Sequence, residues 1–131
     1  MKDIEKVLKL NEVEYPIVFN LNVMQAIQEE YGSLDAWGNV TEAVQRDEND
    51  EIITDTYGKP LTKEPDVKAV IFGFTEMINE GIDIRNEREG KSDPFLSQRK
   101  VGRILTAYGL DKATQLQNET VIESTQSEIK N

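Results

Sequence analysis

Apolar residues open the chain at every second position. Val13, Tyr15, Ile17 and Phe19 alternate with Glu14, Pro16, Val18 and Asn20, and Ile4, Leu8 and Leu10 follow a rougher version of the same period upstream. Side chains two apart share a face of a strand, so this pattern predicts a β-hairpin. Asn11-Glu12 falls at the turn, where asparagine tolerates positive φ. Pro16 has no N–H to give to a ladder, which predicts an edge or bulged position. A single hairpin is barely stable in water, so its apolar face must meet helices.

Helical spacing then takes over. Asn20 or Asn22 can cap a first helix carrying Val23, Met24, Ile27 and Tyr31, stopped at Gly32. Ser33 can cap a second with Leu34, Trp37, Val40 and Val44 inward, although Gly38 inside it costs about 1 kcal/mol relative to alanine. Pro65 suits a first helical position and Asp66 the positive end of the dipole of a third helix. Its stripe is Val67, Val70, Ile71, Phe74 and Ile78, widened by Phe72 and Met77, with Gly81 as the expected stop. A stripe this broad implies packing on more than one side. Ser97 can cap a fourth helix with Val101, Ile104, Leu105 and Tyr108 inward, ended at Gly109. A fifth is expected from Asp111, with Ala113, Leu116 and Thr120 inward.

Two stretches lack periodicity. Gln45 to Glu64 contains the charge run Arg46-Asp47-Glu48-Asn49-Asp50-Glu51 and reads as a long loop, with room for a short turn or hairpin around Gly58-Lys59-Pro60. So long a loop inside a compact domain is unusual, and is either mobile or functional. Ile82 to Pro94 reads as a polar connection broken at Gly90 and Pro94. The last ten residues lose their pattern, and no internal repeat is visible. The expected fold is α+β, mainly α: an N-terminal β-hairpin followed by four to five helices in a small bundle. Residues 1–115 form one domain with a mobile acidic loop at about 45–64, and 116–131 a polar helix or tail that frays.

Length and charge narrow the function. A chain of 131 residues fits one core. Fifteen Lys and Arg against 25 Asp and Glu leave a net charge of −10, which repels phosphate backbones and anionic lipid. Cysteine and histidine are both absent. That removes thiolate chemistry, disulfides, the usual neutral-pH base and the commonest transition-metal ligand. Neither a span of about 20 apolar residues nor the apolar core of a signal peptide is present, so a cytoplasmic protein without cofactor or metal is expected.

Three constellations invite chemistry. Asp47, Asn49 and Glu51 could open a calcium loop, but Ile52 replaces its turn glycine and Gly58 its bidentate glutamate. Glu76 and Glu80 are four apart on one helix face, a spacing that surface charge explains without a sugar platform. Arg99, Lys100 and Arg103 cluster on the outward side of the fourth helix, facing water or an acidic partner in a chain this acidic. Phe72 and Phe95 are the aromatics least accounted for by a core, and exposed aromatics anchor interfaces.

The order of segments is more specific than any of these. Glu14-Tyr15-Pro16-Ile17, then Glu29-Glu30-Tyr31-Gly32-Ser33-Leu34 with Trp37, resembles the opening of phage tail assembly chaperones from siphophages and prophages of Gram-positive bacteria. Phe72-Gly73-Phe74-Thr75-Glu76-Met77-Ile78-Asn79-Glu80-Gly81-Ile82-Asp83 is similar to that family's central helix, and Pro94-Phe95-Leu96-Ser97 leading to Val101-Gly102-Arg103 to its last block. The resemblance spans most of residues 4 to 110 and implies a non-catalytic protein. Such chaperones bind the tape-measure protein, keep it soluble, assist tail-tube polymerisation and are absent from the finished virion. It implies tape-measure and tail-tube proteins as partners in the bacterial cytoplasm, with self-association compatible. The client groove is expected at Phe72, Met77, Phe95, Val101, Ile104, Leu105 and Tyr108. The alternatives are a head–tail connector or tail-completion protein, a nucleic-acid-binding regulator using the fourth helix, and, last, a carboxylate enzyme.

Overall fold

The computed structural model describes residue 1 and residues 4–129, with side chains through Gln126. Strands β1 (Glu5–Leu10) and β2 (Val13–Val18) precede helices α1 (Leu21–Tyr31), α2 (Leu34–Thr41), α3 (Val67–Glu89), α4 (Gln98–Tyr108) and α5 (Leu110–Ile129). This is the expected α+β, mainly α architecture.

The strands pair antiparallel, Leu10 opposite Val13 and Glu5 opposite Val18, with Asn11 turning the chain at φ 57°. Leu8, Tyr15 and Ile17 share one face with Lys6, which reaches Glu123 on α5 at 3.1 Å. On the other face, Pro16 lies against Gly81, and Glu5 pairs with Arg85 at 2.8 Å, so the second half of α3 runs along it. Helices therefore cover both faces where the chain reads Pro16-Ile17-Val18-Phe19, and all four residues are buried. That explains why strict alternation gives way to a continuous apolar run.

Caps begin four helices. Those of α1, α2 and α4 are the expected ones, whereas Asp66 takes the cap of α3 and Pro65, expected at its first helical position, lies before the helix. Asn20, Ser33, Asp66 and Ser97 each accept a backbone N–H of the first turn of α1, α2, α3 and α4. Asn20 and Asn22 also donate to Glu80 at 2.6 and 2.9 Å, fixing the start of α1 against the middle of α3. α3 is the central element. Val70, Phe74, Met77 and Ile78 are fully buried in the core along it, together with Leu8, Ile17, Phe19, Val23, Ile27 and Val101. Each such side chain contributes about 1.5–3 kcal/mol on leaving water.

Gly81 does not end α3. The helix continues to Glu89 and stops at Gly90, which takes the left-handed conformation at φ 66°. Gly81 is needed for contact: a Cβ there would lie 2.8 Å from the Cβ of Pro16. The connection expected from Ile82 is helical up to residue 89, and only 90–97 links α3 to α4. α2 stops at Thr41, so Val44 leaves the helix and pairs with Thr62. α5 runs on past residue 116 as helix. Gln117, Thr120 and Ser124 are buried on it, spaced to face the bundle, and the helix is continuous to Ile129. Lys130 and Asn131 of the expected tail lie outside the described residues.

The expected loop at 45–64 is ordered by a repeat of eight residues. Gln45 N–H donates to Leu61 O, Leu61 N–H to Ile53 O, and Ile53 N–H to Gln45 O, at 2.8 to 2.9 Å, closing a ring of three arms. The flanking pairs obey the same rotation: Val44 with Thr62, Ile52 with Arg46, Pro60 with Thr54. Two arms turn identically. Asp47 Oδ1 accepts from Asn49 and Glu51 N–H, and Asp55 Oδ1 from Tyr57 and Lys59 N–H. Asp50 and Gly58, eight apart, take positive φ at 66° and 79°. These bonds pair many of the backbone groups of this insert without a core of its own.

Candidate functional site

A cleft of about 550 Å³ opens between α2, the first arm of the insert and α5, within the size range of ligand-holding clefts. α2 contributes Leu34, Trp37 and Thr41, the insert Val44, Arg46 and Ile52, and α5 Gln115, Gln117 and Val121. The three elements meet here because Gly73 of α3 bears no side chain. A Cβ on it would strike the Trp37 ring and approach Gln117 Nε2 to 2.7 Å.

The polar groups of the floor are already engaged. Trp37 Nε1 donates to Ala69 O at 3.0 Å, Gln117 Nε2 to Val70 O at 3.1 Å, and Thr41 Oγ1 to Trp37 O at 3.0 Å. Toward the opening stand the half-buried apolar Leu34, Val44 and Val121 and the 43% exposed Ile52, together with the polar Asn39, Thr114, Gln115 and Asn118. Charge is confined to the rim, where Asp35, Glu42, Arg46 and Asp50 stand. Arg46 bonds Glu42 through Nε at 2.8 Å and donates from Nη1 to Asp50 O at 2.8 Å. The Glu42 hydrogen bond holds the guanidinium above its usual pKa. This bridge pins the insert to the end of α2 and keeps the cleft's wall upright.

Such an arrangement offers shape and apolar contact, with hydroxyls spent on helix carbonyls. Among the described residues no group of three carboxylates converges as a metal site would require, and no helix is long and apolar enough to cross a membrane.

The residues expected to form the groove lie elsewhere and do not come together as a surface. Met77, Val101, Ile104 and Leu105 are core side chains, at most 4% exposed. They fit the helical stripe too well to remain outside it. Phe72 is half-buried, edge-on to Tyr31 with ring centroids 5.6 Å apart. Tyr108 is half-buried beneath Lys112, whose Nζ is 4.7 Å from the ring centre. Phe95 alone of the seven is largely in water, at 59%. Sequence reasoning missed the cleft because Val44 reads as part of the second helix, which ends at Thr41, and Ile52 sits in a segment without periodicity. The apolar pair Ile52-Ile53 inside a charged run was the available signal. Comparison with family models, with curated proteins and with solved structures gives no match for this chain.

Proposed function

We propose that the protein is a non-catalytic assembly chaperone that holds an apolar helical segment of another protein in the cleft between α2, the insert and α5. Following the resemblance of its segment order to phage tail assembly chaperones, that client is the tape-measure protein, bound in the host cytoplasm while tail-tube subunits polymerise around it. The observation that carries the reading is the cleft itself: floor groups already hydrogen-bonded within the fold, apolar Leu34, Val44, Ile52 and Val121 above them, and a charged rim on an acidic molecule. An amphipathic helix can lay one or two large side chains on such a floor, while the net charge of −10 keeps the complex dispersed.

The test is co-expression with a tape-measure protein of the same phage or prophage. Recovery of a soluble complex, with the client insoluble alone, is the expected result. Ile52→Asp, at a half-exposed position of the wall, should abolish recovery while the protein still folds. A client equally soluble with and without this chain would remove the chaperone reading. Finding the chain in purified virions would point instead to a connector or tail-completion role.

A further inference from the structure

We infer that Phe95 and the outward face of α4 form a second docking surface, one that takes an acidic segment of a protein. The inference stands apart from the cleft and uses different residues.

Phe95 is held in water by an ordered backbone. Asn79 Nδ2 donates to Leu96 O at 3.0 Å, and Leu96 N–H donates back to Asn79 Oδ1 at 2.8 Å. Asn86 repeats the device on Asp93, donating to its carbonyl and accepting from its N–H, both at 3.0 Å. The two asparagines are seven residues apart on α3, about two turns, and so share one face. Both sides of Phe95 are thereby clamped, and its ring is left 59% exposed. Ordering a segment so that a large aromatic faces solvent forgoes the gain of burying it, a gain that a partner can restore.

Arg99, Lys100 and Arg103 follow on α4, all exposed, because Val101, Ile104 and Leu105 turn the opposite face to the core. Among the described residues none of the three forms an ion pair, nor do Lys9, Lys59, Lys63, Lys68 and Lys112; what sets the three apart is that they lie within five residues of one another on one exposed helix face. A chain with ten more acids than bases thus leaves three neighbouring cations without an acid. Arginines that follow an exposed aromatic within eight residues of sequence have the composition of an interface hot spot, and charge complementarity makes the occupant acidic. A nucleic-acid duplex fits less well. It would run beyond the patch over the acidic remainder of the surface, within the ~8 Å reach of unscreened charge at physiological salt. A segment of a few helical turns would not.

The probe is a blocked synthetic helix of about four turns, with leucines on one face flanked by glutamates. A second helix carries glutamine in place of glutamate, and a third probe is duplex DNA of similar length. Binding is read by NMR on the intact protein. The glutamate helix should bind at least about tenfold more tightly than the glutamine helix, weaken as salt rises, and shift the amides of Phe95 to Arg103. Arg99→Glu with Arg103→Glu should abolish binding, and Phe95→Ser should weaken it, both variants melting as the wild type does because these side chains are exposed. Ile52→Asp, which disables the cleft, should leave it unchanged. Equal affinity for the two helices would overturn the inference. So would binding that survives the arginine reversals, or DNA bound more tightly than the glutamate helix.

Discussion

At Gly73 and Gly81 the missing side chain decides how α3 packs. Both are helical and buried, and both face an atom that a Cβ would strike. Gly38 is also helical, yet nothing lies within 4 Å of where its Cβ would be. The same substitution should therefore have opposite signs. Gly73→Ala and Gly81→Ala should each destabilise by about 1–3 kcal/mol through overpacking, although helix propensity favours alanine by about 1 kcal/mol. Gly38→Ala should stabilise by about 0.5–1 kcal/mol. Thermal or urea unfolding of the three variants checks this, and a stabilised Gly81→Ala would contradict the packing described. In sequence the three are alike, and Gly81 reads naturally as a helix stop. Only its neighbour Pro16, distant in sequence, gives the reason for it. The caps Asn20, Ser33 and Ser97 were legible because a cap acts on the residues beside it.

Glu76 makes a second residue-scale prediction. Burial raises its carboxyl above the ordinary range, and repulsion from Glu80 and then Glu29 adds to the shift. The folded state then holds the proton more tightly than the unfolded chain does. Stability from this group is greatest where it is protonated, and falls as pH rises from the ordinary carboxylate value through the raised folded one. Glu76→Gln should therefore raise the melting temperature at neutral pH and lose that advantage below the ordinary carboxylate pKa. Melting curves across the acid range would show it, and an advantage growing toward low pH would contradict it.

Among the elements, the insert departs furthest from what its residues suggest. Its order comes from backbone rings and aspartate turns, which leave no hydrophobic period to read. Asp47 and Asp55 stand eight apart, as do Thr54 and Thr62, a trace too faint to count as a repeat without the hydrogen bonds that use it. Its ends are already joined, since Lys63 N–H donates to Ala43 O at 2.9 Å. Replacing 44–62 with a two-residue turn should keep the helical far-UV spectrum and change stability by no more than about 1–2 kcal/mol. It should also remove one wall of the cleft, and client binding with it. Loss of cooperative unfolding in the shortened chain would show instead that the insert supports the core. α3 was recognisable for its first half, where the stripe is continuous. Its second half, from Ile82, is polar because it runs at the surface beside the hairpin, with Arg85 on Glu5.

For the whole molecule, acidity and segment order pointed to a binding protein, and hydrophobic patterning to a hairpin on a helical bundle. Patterning cannot distinguish a core stripe from an apolar groove, since both repeat with the helix. Val101, Ile104 and Leu105 satisfied the core, and the opening formed where three elements fail to close against one another.

Hydrogen exchange of this protein, alone and in complex with the tape-measure client, tests the proposed cleft most directly. Slowed exchange confined to α2 from residue 34, the insert between residues 43 and 53, and α5 from 114 to 121 is the predicted result. Protection centred on 95–108 with these segments unchanged, or none at all in a stable complex, would contradict it.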